Sequence, residues 1–118
     1  MPRGKHLLQI ALVLFVFFGI LISHIPSQPQ AIEIICHRSY YEPSTIRVPK
    51  GQPVEISLTS EDVTHGFALD EFGIAREIPT GPPTKIKFTP DKEGTFEFHC
   101  VVRCGKDHLK MRGSLIVE

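Results

Sequence analysis

From residue 31 to the end of the chain, apolar and polar side chains alternate with the period of two that is typical of β-strands with one buried face. The alternation is clearest at residues 31–37 and 54–59, and it recurs in shorter segments at 44–49, 85–88, 96–100 and 114–117. Segments rich in glycine, proline or both separate these strands. The spacing predicts an all-β sandwich or barrel. No segment of this part has a helical period, and a single short turn is expected within residues 107–112.

The first 30 residues have a different pattern. An apolar run at residues 7–22 follows Arg3 and Lys5, and no further lysine or arginine occurs before Arg38. The run is close to the minimum of about 17 residues needed to span a bilayer. We therefore predict one N-terminal transmembrane or signal-anchor helix with a tether in residues 1–30, uncleaved in preference to cleaved, and a separate domain in residues 31–118. The positive-inside rule places that domain on the extracytoplasmic, periplasmic side of the cell membrane.

Composition excludes some classes of function. Thirteen basic side chains balance thirteen acidic ones, so the chain lacks the positive excess of a nucleic-acid-binding protein.

Three cysteines in an oxidising compartment normally suggest a disulfide. A permanent disulfide would leave the neighbouring histidine and methionine without a purpose at their spacing, and Cys36 is interpreted as a buried small apolar residue.

The chemistry concentrates in one motif, Cys-x3-Cys-x3-His-x2-Met, formed by Cys100, Cys104, His108 and Met111. Thiolate and thioether ligands together select copper over harder metals. Phe96 and Phe98 share a strand face with Cys100, so the motif is expected to begin where an inward-facing row ends. A loop held between two strands is suited to a rigid metal site.

One further ligand is needed from elsewhere in the chain, and His65 is the candidate, expected at the end of the strand that begins near Val54. Three interpretations of the metal site remain open. In the first, both sulfurs bridge two coppers. In the second, the two cysteines and two histidines form a tetrahedral zinc site. In the third, a mononuclear blue-copper site leaves Cys100 incidental. Soft ligands favour copper, and the second thiolate favours the binuclear form.

Residues 60–67, residues 73–81 and the Cys100-to-Met111 loop together resemble the copper-binding domain of cytochrome c oxidase subunit II, and are similar to the related domain of nitrous oxide reductase. The resemblance implies a Greek-key cupredoxin β-sandwich holding two copper ions in a CuA centre. Carried over, Cys100 and Cys104 would bridge the two coppers, His65 and His108 would each bind one, and Met111 and the backbone carbonyl of Val102 would be weak axial ligands. Asp62 matches an acidic position near that family's docking face, and it is equally consistent with a surface turn.

The resemblance further implies an electron-transfer protein that is not catalytic alone, with a cytochrome c or another redox protein as donor and a heme-copper oxidase subunit I as possible acceptor. Two features depart from the family: the chain has no tryptophan, and basic residues surround the ligand loop. A basic rim would favour an acidic or neutral partner. A copper carrier or storage protein is the alternative function, because the same soft ligands would serve it.

Overall fold

The computed structural model describes residues 28–118. Within this part the chain forms nine strands and two short 3₁₀ turns. The strands are β1 (Gln30–His37), β2 (Tyr40–Glu42), β3 (Thr45–Val48), β4 (Val54–Ser60), β5 (His65–Leu69), β6 (Ile74–Ile78), β7 (Thr84–Phe88), β8 (Gly94–His99) and β9 (Arg112–Val117). The 3₁₀ turns are Asp70–Phe72 and His108–Lys110, and the second confirms the short turn predicted within residues 107–112.

The strands form two sheets. One has the order β2-β1-β4-β7, and the other has the order β3-β9-β8-β5-β6. Two neighbouring pairs are parallel, β1 with β4 and β3 with β9, while the remaining pairs are antiparallel. Most connections cross from one sheet to the other, as a Greek-key arrangement requires. The prediction of an all-β sandwich is confirmed.

The core lies between the sheets and follows the predicted alternation. In β4, Val54, Ile56 and Leu58 are fully buried while the intervening residues are half-exposed. β1 repeats this pattern with Ile34 and Cys36, which confirms that Cys36 is a buried core residue. Burial of such alternating apolar faces is the main favourable contribution to folding of a sandwich.

The sequence prediction missed β5 and β6, as well as the short strand β2. β5 is buried at every position, and β6 is buried only at its two ends, so neither alternates along its length. The prediction that His65 ends the strand beginning near Val54 is wrong. That strand ends at Ser60, and His65 begins β5 in the opposite sheet, after a turn in which Asp62 accepts hydrogen bonds from the backbone N–H groups of Val63 and Arg38.

The predicted N-terminal anchor helix falls almost entirely on residues 1–27, which lie outside the described part. Within residues 28–118, no helix is long and apolar enough to cross a membrane.

Candidate metal centre

The ligand motif occupies the connection between β8 and β9, which are paired along their whole length. Cys100 follows β8 directly, and its backbone N–H donates to the carbonyl of Met111 at 3.2 Å, which closes the base of the loop. The 3₁₀ turn then directs the chain into β9, with the Met111 N–H donating to the His108 carbonyl at 3.2 Å. Both ends of the loop are therefore anchored in a rigid sheet.

The loop brings sulfur atoms together in the interior. The Sγ atoms of Cys100 and Cys104 lie 3.5 Å apart, and the Sγ of Cys104 lies 3.7 Å from the Sδ of Met111. Both cysteines are free thiols. All three side chains are buried, with Met111 fully inaccessible. A separation of 3.5 Å is well beyond a disulfide bond, and it suits two thiolates that each contact one metal ion at about 2.3 Å.

His65 reaches this sulfur pair from β5. One of its ring nitrogens lies within 4.8 Å of the Sγ atoms of Cys100 and Cys104, and these atoms also lie within that distance of each other. His65 is completely buried, and its Nδ1 is the one buried side-chain nitrogen or oxygen of residues 28–118 without a hydrogen-bond partner. Buried polar groups are normally paired. An unpaired nitrogen beside two thiols is therefore a donor group suited to a metal ion.

His108 approaches the cluster at Cys104 and is half-exposed. Its Nδ1 is 3.9 Å from the Sγ of Cys104. The Val102 carbonyl oxygen is 3.0 Å from the Sγ of Cys100. The structure thus brings all six predicted ligand residues into one cluster, and their role as ligands stays a prediction.

The other histidines of the described part have different partners. His37 lies between the carboxylates of Glu42 and Glu61, and His99 lies 3.0 Å from Asp70. Neither belongs to the close group of His65, Cys100 and Cys104.

Sequence reasoning missed three residues that support this cluster. Asp62 holds the Nε2 of His65 at 2.5 Å, an arrangement that orients a metal-binding histidine and leaves Nδ1 without a hydrogen-bond partner. The Gly66 N–H donates to the Sγ of Cys100 at 3.2 Å, and the Tyr41 hydroxyl donates to the Gly66 carbonyl at 2.6 Å. The spacing Asp-x-x-His was the signal for the first contact, whereas the other two depend on long-range packing.

Glycine is required at position 66 because the ligand loop packs directly on its backbone. A Cβ there would lie 2.7 Å from the backbone nitrogen of Val101 and 2.8 Å from that of Val102. Contacts this short with backbone atoms do not occur in folded proteins, so any side chain would displace the loop. The position of β5 thus sets the position of Cys100.

The protein environment disfavours the thiolate form of Cys104. Burial is the main cause that raises the pKa of the Cys104 thiol to about 11, and the neighbouring Cys100 is the second cause. Burial also raises the pKa of the Tyr41 hydroxyl well above its usual range. Although partial desolvation opposes it, hydrogen bonds from Val63, His65 and Arg38 lower the pKa of Asp62. Metal binding at the cluster would release thiol protons.

Known proteins resemble this chain in both sequence and fold. The family model described as a cupredoxin-like domain matches residues 9–117. Cytochrome c oxidase subunit 2 of Thermus thermophilus is 32% identical over 78 residues, covering 66% of this chain and 58% of that protein. Nitrous-oxide reductase of Pseudomonas fluorescens is 35% identical over 75 residues, covering 60% of this chain and 12% of that protein. The chain spans less than two thirds of the length of either relative. The resemblance to both families is confirmed.

Solved structures share the fold. The periplasmic domain of cytochrome oxidase subunit II (CoxB) of Bradyrhizobium japonicum superposes with a TM-score of 0.71 at 22% identity, covering 80% of this chain and 87% of that chain. A chain of a heme-copper terminal oxidase dimer gives 0.69 at 24% identity, covering 99% and 100%. The metal-binding domain of the Cu(I)-exporting P-type ATPase CopA of Streptococcus pneumoniae, solved with Cu(I), gives 0.63 at 29% identity, covering 80% and 90%.

Proposed function

The chain belongs to the cupredoxin-like domain family, and on that premise we propose that it is a membrane-anchored electron-transfer protein with a binuclear copper centre. The observation that carries the proposal is the buried group of His65, Cys100 and Cys104, extended through Cys104 toward His108 and Met111. Copper bound there would supply a one-electron redox centre, shared over two metals and both sulfurs so that little rearrangement accompanies transfer.

The distribution of donor atoms favours the binuclear form over the two alternatives. A tetrahedral zinc site needs four ligands around one point, whereas His108 is not part of the tight group that contains His65, Cys100 and Cys104. A mononuclear blue-copper site would leave Cys100 unused, although its thiol is buried between Cys104 and the Gly66 N–H. Two ions give every donor a role.

The protein's own contribution is to fix these donors in position and to shield them from solvent. Asp62 orients the His65 ring, Gly66 donates a hydrogen bond to the Cys100 sulfur, and β8 and β9 anchor both ends of the loop. Buried, hydrogen-bonded ligands resist the geometric change that would slow electron transfer, and hydrogen bonds to sulfur tune the redox potential.

The remainder of the proposal concerns context. Residues 1–30 would anchor the chain in the cell membrane, with residues 31–118 on the extracytoplasmic side, where the CoxB domain lies in its own protein. The donor would be a cytochrome c or another redox protein. A heme-copper oxidase subunit I is the proposed acceptor, supported by the relatives named as oxidase subunits.

The test is copper stoichiometry and electron paramagnetic resonance of the full chain, purified in detergent and loaded with copper. We expect two copper ions per chain and a seven-line hyperfine pattern, because one unpaired electron is shared equally by two copper nuclei. Cys100→Ser should reduce the stoichiometry to at most one ion and give four lines. Cys36→Ala is the matched control, since that thiol is equally buried within the sandwich and should leave the pattern unchanged. One ion in the unaltered chain contradicts the proposal.

A copper carrier is the second candidate, favoured by the likeness to the CopA metal-binding domain. The two functions differ in how tightly the metal is held. A carrier should release copper to a competing chelator within seconds to minutes, whereas a redox centre should retain it and accept an electron from a small-molecule reductant reversibly.

A further inference from the structure

The surface above His108 combines exposed apolar and basic side chains. A shallow cavity there is lined by Val101, Arg103, Gly105, Lys106, His108 and Leu109. Leu109 is 76% exposed and Val101 is 48% exposed, which makes them two of the four large apolar side chains exposed in residues 28–118. We call Val101, Arg103, Lys106 and Leu109 the loop face, together with Arg38, whose Cδ would lie 3.9 Å from a Cβ on Gly105. Exposed apolar groups within a polar rim are typical of a protein-binding site.

The positive charge of the loop face is uncompensated. Within the described part of the chain, no carboxylate lies within 4.0 Å of the side chains of Arg38, Arg103 or Lys106. The neighbouring cations do have acidic partners, since Lys110 lies 3.6 Å from Asp107 and Arg112 pairs with Glu97.

The nearby acidic groups are also engaged. Asp62 binds His65 and two backbone N–H groups, and Glu61 binds His37. A partner that approaches the loop face therefore meets a positive potential, which attracts a negatively charged protein and repels a positively charged one.

His108 connects the sulfur cluster to the loop face, because its Nδ1 lies 3.9 Å from the Sγ of Cys104. His65, Cys100, Cys104 and Met111 are buried, whereas His108 is half-exposed and lines the cavity. A protein that fills this cavity would contact His108, a direct neighbour of Cys104 in the cluster.

We propose that the loop face is the docking site for an acidic electron-transfer protein, with Leu109 and Val101 in the apolar centre of the contact and the basic side chains at its rim. The proposal rests on the proposed function, because it names the kind of partner that would use this centre. One electron passes between the two redox centres, so one is oxidised as the other is reduced, and no bond or proton is exchanged.

The test measures binding by isothermal titration calorimetry, with the copper-loaded full chain in detergent. The probes are two small soluble c-type cytochromes of similar reduction potential, one acidic and one basic, kept oxidised so that no electron moves. The acidic cytochrome should bind tighter by roughly tenfold or more at low salt. Its affinity should fall by about an order of magnitude as ionic strength rises from ~0.01 M to ~0.15 M, where the Debye length shrinks from about 30 Å to about 8 Å.

Variants locate the contact. Charge reversal by Arg103→Glu with Lys106→Glu should weaken acidic-cytochrome binding by roughly tenfold and reverse its salt dependence, while Leu109→Ala should weaken binding several-fold at every salt concentration. Lys50→Glu is the control for a charge reversal away from the loop face. Lys50 is exposed, and its N–H bonds the carbonyl of Glu118, at the opposite end of β9 from the ligand loop. It should leave binding unchanged.

Several results would overturn the proposal. One is equal or tighter binding of the basic cytochrome, and another is an acidic-cytochrome affinity that the double reversal leaves intact. Binding to phosphatidylglycerol vesicles that the double reversal abolishes, without cytochrome binding, would assign the loop face to lipid. The binuclear centre is tested independently of this docking site. A mononuclear copper spectrum disproves the binuclear centre, whatever the cytochrome affinities are.

Discussion

The interior of the sandwich and the cluster of His65, Cys100, Cys104 and Met111 are both buried, but only the interior side chains find all their contacts within the protein. In the interior, Phe98 packs against Tyr41 and Phe67, with ring centroids 5.1 and 5.0 Å away. These contacts are complete within the protein. At the ligand end, by which we mean residues 62–66 and 100–111, His65 Nδ1 is buried without a partner and the thiols of Cys100 and Cys104 face each other.

The difference shows that the apolar interior stabilises the fold, whereas the ligand end does not. Unpaired buried polar groups cost free energy of folding, so the ligand end weakens the folded state unless a metal ion is bound. The apolar interior offsets that cost and holds the donors in position. Tyr41 belongs to both regions, since its ring packs in the interior while its hydroxyl binds the Gly66 carbonyl.

The largest effect on stability is expected in the interior, from Phe98→Ala. Phe98 is fully buried, and removing its ring leaves a cavity beside Tyr41 and Phe67. Large-to-alanine changes of this kind lower the free energy of unfolding by about 3–5 kcal/mol. Urea unfolding monitored by circular dichroism measures the loss, and Phe98→Leu provides a milder variant if the alanine variant does not fold.

Phe96→Ala is the matched control for that change. Phe96 lies two residues earlier on β8 but is only half-buried, so its removal should cost less. Equal costs at the two positions would contradict the view that stability is concentrated between the sheets.

An intermediate effect is expected at the ligand end, from Gly66→Ala. The new Cβ would meet the backbone of Val101 and Val102, and overpacking of this kind costs roughly 1–3 kcal/mol. Unlike the interior change, it should also alter the copper spectrum, because the Gly66 N–H that binds the Cys100 sulfur would move. Denaturation and electron paramagnetic resonance of the copper-loaded chain measure the two outcomes.

Ala68→Val controls for overpacking on the same strand. Ala68 is buried, and it pairs with Ala75 and His99 rather than contacting the ligand loop. We expect a loss of stability with an unchanged copper spectrum. If both variants keep the spectrum, β5 does not set the geometry of the loop.

The two regions also differ in how well the sequence predicts them. The alternation of Ile34 with its neighbours, and of Val54, Ile56 and Leu58, was a sufficient signal for β1 and β4, because these strands bury one face. β5 gave no such signal. It lies inside the sheet and is buried throughout, which removes the polar half of the pattern.

At the ligand end, the local part of the cluster was predictable, since four donors occur within twelve residues of sequence. The supporting contacts were not, because they join distant segments. Gly66 and Cys100 are 34 residues apart, and Tyr41 and Gly66 are 25 residues apart. Such contacts depend on which strands become neighbours, and side-chain periodicity carries no information about that pairing.

The smallest effect is expected at neither region but on the outer face of the β1 and β2 hairpin, where His37 lies between Glu42 and Glu61. Partial desolvation lowers the pKa of His37, but the two carboxylates outweigh it and raise the pKa above 6.5. The protonated ring therefore stabilises the fold at pH values below about 6.5, and this contribution is lost as pH rises through the raised pKa. Exposed ion pairs contribute roughly 0.2–1 kcal/mol.

Urea unfolding between pH 5 and 9 should show His37→Gln less stable than the unaltered chain only on the acidic side, and Glu42→Gln with Glu61→Gln should remove the same difference. A His37→Gln deficit that is constant with pH would mean that the ring acts through its stacking on Tyr40, 4.4 Å between centroids, and not through its charge.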